Sequence, residues 1–150
     1  MTLQEASRLA DFTVIAPATD IANADRLTGV WAARYGAGDA QVALQYDGGA
    51  LSILENTLAD PDPTTILARY NEDAGAMNQA VGRTVFFVTT VGSTDTPVLA
   101  GVPGSDAYRS NPASVEIAIG DIDVLLQSST YGVDQLLAVA QSMAESSRSP

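Results

Sequence analysis

Neither cysteine nor histidine occurs in this 150-residue chain, and lysine is missing too, so that all seven basic residues are arginine. Without Cys there can be no disulfide, no thiolate metal site and no thiol nucleophile. Without His, the Ser-His-Asp and Cys-His arrangements, the usual zinc sites and the commonest general base near neutral pH are excluded as well. Carboxylates, Tyr, Arg and hydroxyls are what remains for chemistry. Long apolar runs are also missing: none approaches the about 18 residues of a membrane-spanning helix. The opening "MTLQEASRLADF" has neither the basic start nor the apolar stretch of a signal peptide, so the sequence as it stands is expected to be soluble.

What is present points to one folded domain. A chain of this length buries about two thirds of the surface its unfolded form exposes. Hydrophobic residues make up 46% and aromatic residues only 6%, so the core is expected to be built mostly from Ala, Val, Leu and Ile. The net charge is −11, and Arg8, Arg26, Arg34, Arg69, Arg83, Arg109 and Arg148 are scattered without a patch. Phosphate backbones and anionic lipid surfaces both reward clustered cations, so neither nucleic acid nor direct membrane contact is expected. The acidity reads as a means to solubility.

Thr2-Leu3-Gln4-Glu5 fits a capping box, which predicts a short helix to about Leu9 with Leu3, Ala6 and Leu9 or Ala10 on one side. "FTVIAP", 12–17, reads as a short strand stopped by Pro17, and "ATDIANADR" as a loop or a single helical turn. "LTGVWAARY", "QVALQY" and "ALSILEN" then form a meander: Val42, Leu44 and Tyr46 alternate with polar or small residues, and Asp47-Gly48-Gly49 supplies positive-φ positions for a tight turn. Asp62 and Pro63 start a helix well, and helical spacing predicts one over about 63–73 facing the sheet. "GRTVFFVTTVG", 82–92, is dense in β-branched and aromatic residues and reads as a strand. Val98, Leu99 and Val102 suggest a short strand inside a segment, 93–114, that is otherwise rich in Pro, Gly, Ser and Asp. That segment is the best place for a functional loop.

The stretch "SVEIAIGDIDVLLQSS", 114–129, predicts a hairpin turning at Gly120-Asp121. Its register pairs Ile119 with Ile122, Ile117 with Val124 and Val115 with Leu126, all on one face. A final helix follows, with Val133, Leu136, Leu137, Ala140, Met143 and Ala144 in an apolar stripe.

The hairpin also carries Glu116, Asp121 and Asp123, which raises the question of a cation site. The register separates Glu116 from Asp123 on the opposite face, and a hard cation wants six to eight converging oxygens, so no metal is expected there. Asp62 has a role as helix cap beside Asp60, and the adjacent Glu72 and Asp73 point apart on a helix; both pairs read as structural. The glycines form no phosphate-binding pattern, and no cofactor is implied. Trp31, which alternates with Ala33 and Tyr35, reads as a core residue, with a ligand-stacking platform as the alternative.

Taken together, the two ends resemble a family. "TLQEASRLADFTVIAP", with Phe12, Val14 and Pro17 in an F-x-V-x-x-P pattern, is similar to the entry of an uncharacterised extracytoplasmic domain of bacterial lipoproteins and anti-sigma-factor-like membrane proteins. The closing hairpin and the helix with Leu136, Leu137, Ala140 and Ser142 resemble the same domain. The L-P-x-G-Y segment usual in that family is replaced here by "ATDIANADRL". The resemblance implies a domain outside the cytoplasmic membrane, tethered by an upstream helix or lipid and acting by binding or sensing. A lesser resemblance, to the Mog1/PsbP-like α+β proteins, rests on the strand-rich middle and the closing helix.

The sequence therefore predicts a single α+β domain, 1–150: an antiparallel sheet of five to seven strands with two or three helices packed on it. It is expected to be a non-enzymatic binding or sensing domain of a cell-envelope protein, with an unidentified protein or small molecule as partner. The binding candidates are Asp106, Tyr108 and Arg109 in the long loop, and Trp31. The alternatives are a small carboxylate-dependent enzyme, with or without the assistance of a metal, using at least two of Asp106, Tyr108, Glu116 and Asp123, or a structural subunit of an oligomer. If the chain is not tethered to the envelope, a cytoplasmic location is expected.

Overall fold

The computed structural model describes residues 1–36, 38–58, 86–91, 98–100 and 113–148. Its first helix, α1 (Leu3–Ala10), begins on the capping box read from the sequence. Thr2 Oγ1 accepts from the Glu5 N–H at 3.1 Å, and Glu5 Oε2 accepts from the Thr2 N–H at 2.7 Å. These bonds hold the Glu5 carboxyl below its usual pKa. Ala6 and Ala10 are buried whereas Leu9 is 45% exposed, so the inward stripe runs through Ala10.

A meander follows, of β1 (Leu27–Gly36), β2 (Asp39–Tyr46) and β3 (Leu51–Thr57), paired antiparallel in sequence order. Between β2 and β3 the chain turns at Asp47, Gly48 and Gly49, with φ of 50°, 68° and 108°. Left-handed backbone is easiest for Gly, and here two of the three positions are Gly. Further along come β4 (Phe86–Val91), β5 (Val98–Ala100), β6 (Ala113–Ile119), β7 (Ile122–Ser128) and the helix α2 (Val133–Arg148).

All the strands belong to one sheet, in the order β1-β2-β3-β7-β6-β4-β5. Its pairings are antiparallel except between β6 and β4, which run parallel. The closing hairpin is thus inserted beside β3, at the middle of the sheet. That position suits its composition, because Val115, Ile117 and Ile119 of β6 and Ile122, Val124 and Leu126 of β7 are all buried. Fully burying one such side chain contributes about 2 kcal/mol, so the most aliphatic strands gain most from the centre. The register is the one the sequence predicts, Ile119 opposite Ile122, Ile117 opposite Val124 and Val115 opposite Leu126. Gly120 takes the positive φ, 62°, that a Gly-X turn requires.

Both helices contribute to one core on this inner face, α1 over β1 and β2, α2 over β6 and β7. From α2, Leu136, Val139, Ala140, Met143 and Ala144 are buried, so the stripe passes through Val139 as well. Ser128 holds the turn between β7 and α2. Its Oγ donates to the Ala50 carbonyl at 2.6 Å and accepts from the N–H groups of Thr130 and Tyr131 at 3.0 and 2.8 Å.

Two expectations need correction. Residues 12–17 form no strand: their only neighbouring bridge is Thr19 with Ala22, and the segment runs as an irregular strap whose N–H groups find side chains instead of a ladder. Trp31 is not in the core. It lies on the edge strand β1, 52% exposed, with its ring folded over Gly29, where a Cβ would stand only 2.3 Å from the ring. The missing side chain at Gly29 is what lets the ring lie close against the strand. The "ATDIANADR" segment does hold one helical turn, Ala24–Arg26, capped by Asn23. The helix expected over 63–73 lies outside the described residues.

Candidate functional site

Between α1 and α2 the inner face of the sheet is crossed by the strap, 12–18. Side chains from three different elements accept its backbone donors. The Val14 N–H goes to Ser7 Oγ of α1 at 2.9 Å, the Ile15 N–H to Glu55 Oε1 of β3 at 2.8 Å, and the Ala18 N–H to Ser142 Oγ of α2 at 3.3 Å. Such a segment is positioned by a few point contacts. Phe12, Val14 and Ile15 add to them by packing against the core.

Glu55 is the unusual member of this set. Strand alternation places Leu51, Ile53 and Glu55 on the inner face, and the carboxylate ends up fully buried between Val42 of β2 and Val124 of β7. Oε1 has the Ile15 N–H, but Oε2 has no hydrogen-bond partner among the described residues. Burial pushes the carboxyl up to about 8, against the opposing pull of the Ile15 N–H. Near neutral pH the group is therefore mostly protonated. Tyr46, also buried, is pushed up to about 12 by desolvation and then by the Glu55 charge.

Beside the strap lies a cleft of about 510 Å³, formed by strap residues 12–16, the β6–β7 turn 119–122 and Ser146 near the end of α2. This volume is within the range of small-molecule sites. Its walls are about equally polar and apolar, with Phe12, Val14, Ile15, Ile119 and Ile122 as the larger apolar side chains and Asp121 as the one ionisable side chain among them. The turn is anchored from below, since the Leu58 N–H donates to the Asp121 carbonyl at 2.8 Å. Ile15 belongs both to the cleft wall and, through its N–H, to the buried carboxyl.

The candidates read from the sequence do not meet here. Trp31 is on the far edge strand, and Asp106, Tyr108 and Arg109 lie outside the described residues. Asp60, Asp62, Glu72 and Asp73 lie outside them as well. Glu116 sits opposite Leu125 and Asp123 opposite Ala118, on the outer face, away from the cleft, and each engages another group. Among the described residues, no cluster of three or more carboxylates could hold a metal ion. No helix among them is long and apolar enough to cross a membrane.

Sequence reasoning missed Glu55, although its signal was present. In "LSILENT" the period-2 pattern that puts Leu51 and Ile53 inside puts Glu55 inside with them, and a charge on an apolar face is the informative exception. The strap was missed because an extended backbone satisfied by side chains has the same composition as an edge strand.

Against known proteins the chain stands alone: no family model, no curated protein and no solved structure matches it.

Proposed function

We propose that this chain is a non-enzymatic binding or sensing domain, and that its recognition site is the cleft between the strap, the β6–β7 turn and α2. The observation that carries this reading is the cleft itself: about 510 Å³, lined by apolar side chains from Phe12, Val14, Ile15, Ile119 and Ile122 beside polar surface, with one exposed carboxylate at Asp121. Such a surface suits a ligand with an apolar body. The resemblance of the two chain ends to extracytoplasmic domains supports placing the protein at the cell envelope. The segment with Asp106, Tyr108 and Arg109, outside the described residues, is proposed as an additional contact for the partner.

A raised carboxyl pKa beside a cleft also occurs in active sites, which favours the enzymatic alternative. A general acid must reach the proton it transfers, however, and while the Ile15 N–H bond holds the strap in place Glu55 is fully buried and forms no part of the cleft wall. Binding is the better account. A fragment screen followed by amide chemical shifts tests it. Hits should perturb residues 12–16 and 119–122 together, and Ser146→Trp, which fills the cleft from an exposed helix position, should abolish them. Shifts that are scattered, or that survive Ser146→Trp, would rule the site out.

A further inference from the structure

Resting on the cleft as the binding site, we propose that its ligand is a small primary amine with an apolar body, whose ammonium is read by Glu55. The geometry supplies three reasons. The cleft wall contains a carboxylate, Asp121, and no cationic side chain, in a chain whose net charge is −11. Attraction at the mouth therefore favours a cation.

Behind the wall, Glu55 Oε2 is a buried acceptor without a partner, and a single residue, Ile15, touches both this carboxyl and the cleft. A buried carboxylate is costly until a donor meets it. An ammonium that passes Ile15 brings both a counter-charge and N–H donors to that oxygen. Among the described residues no other carboxylate joins Glu55 to complete the oxygen shell of a metal ion, so a nitrogen cation fits better than an inorganic one.

The strap makes the approach feasible. At Ile15 it is held by one hydrogen bond, to Oε1, and flanked by bonds to the hydroxyls of Ser7 and Ser142. No strand ladder has to be broken for the Ile15 peptide to yield. Glu55 loses its proton to the solvent as the ammonium arrives, so that RNH₃⁺ and the neutral acid become an ion pair plus H⁺. Binding consequently strengthens with pH while the free acid is protonated, by up to about tenfold per pH unit. Tyr46 faces the same core and stays neutral throughout this range.

Calorimetry with 2-phenylethylamine and its neutral isostere 2-phenylethanol separates the possibilities. The amine should bind at least about tenfold more tightly at pH 7.5, the equivalent of one lost charge-assisted hydrogen bond. It should release protons, seen as a heat that depends on the buffer, and its affinity should rise between pH 6 and 8. Glu55→Gln keeps an acceptor for the Ile15 N–H and should lose the preference and the pH dependence together. In the unmodified protein, the Glu55 side-chain carboxyl ¹³C resonance should move to its ionised position when amine is added at pH 7.

Equal binding of amine and alcohol, or a preference that survives Glu55→Gln, overturns the amine assignment and leaves the cleft as an apolar site. A carboxyl resonance that amine does not move overturns it too. Binding of neither probe also overturns it, and the Ser146→Trp screen then decides separately whether the cleft binds anything.

Discussion

The backbone N–H of Ile15 donates to Glu55 Oε1 at 2.8 Å, joining positions 40 residues apart, while the second oxygen of the same carboxyl has no partner among the described residues. One side chain thus anchors the strap over the sheet and keeps a polar oxygen without a partner under it. Two kinds of consequence follow, for stability and for motion.

Ionising Glu55 should weaken the fold. The unfolded chain releases this proton near the ordinary value of 4.5 and the folded chain only near 8. Between those values the folded state holds more protons, so stability falls as pH rises through that window and is flat with respect to this group outside it. The full loss is on the order of 5 kcal/mol at most, from 1.36 kcal/mol per pKa unit. Glu55→Gln should match the parent near pH 4.5 and exceed it in stability at pH 9, as measured by urea unfolding at the two pH values. A variant less stable than the parent at pH 9 would contradict this.

The strap should be the first inner-face segment to open. Ser7→Ala removes the acceptor of the Val14 N–H and should cost about 1 kcal/mol. Amide hydrogen exchange should quicken at Val14 and Ile15 and remain slow at Val42, Leu44 and Val124. Uniform acceleration across the sheet would mean that the strap has no independent motion.

Ser128 serves three backbone partners at once and is 4% exposed. Ser128→Ala leaves the Ala50 carbonyl and the Thr130 and Tyr131 N–H groups, in the turn between β7 and α2, without it, for a loss of about 2–3 kcal/mol in thermal or chemical unfolding. Ser128→Thr keeps the hydroxyl and should recover most of that.

Trp31, the only tryptophan, reports on its own packing. In Gly29→Ala the new methyl meets the far edge of the indole, which can swing outward. Its fluorescence should shift to the red, while unfolding changes by about 1 kcal/mol or less. An unshifted spectrum would show that the ring does not rest on Gly29.

The parts legible in the sequence are those where local pattern and global placement agree. The hairpin at Gly120-Asp121 is the best case, because a two-residue turn fixes the register and the register puts Val115, Ile117, Ile119, Ile122, Val124 and Leu126 inside together. The α1 capping box and the Asp47–Gly49 turn are local in the same sense. Trp31 departed from its expected place because alternation says which face a residue takes but not whether a second layer covers that face. The candidate site was illegible for a related reason. It depends on Ser7, Glu55 and Ser142, which are brought to the strap only by the packing of α1, β3 and α2, and nothing in "FTVIAP" announces side-chain partners so distant in the chain.

The central claim is that Glu55 is a buried acid held neutral beneath the strap at neutral pH, and a ¹³C-detected titration of its side-chain carboxyl measures this directly. The predicted result is a midpoint near 8, with the Ile15 amide resonance titrating in step. A midpoint near 4.5, with an indifferent Ile15 amide, would contradict the account and remove the amine assignment with it.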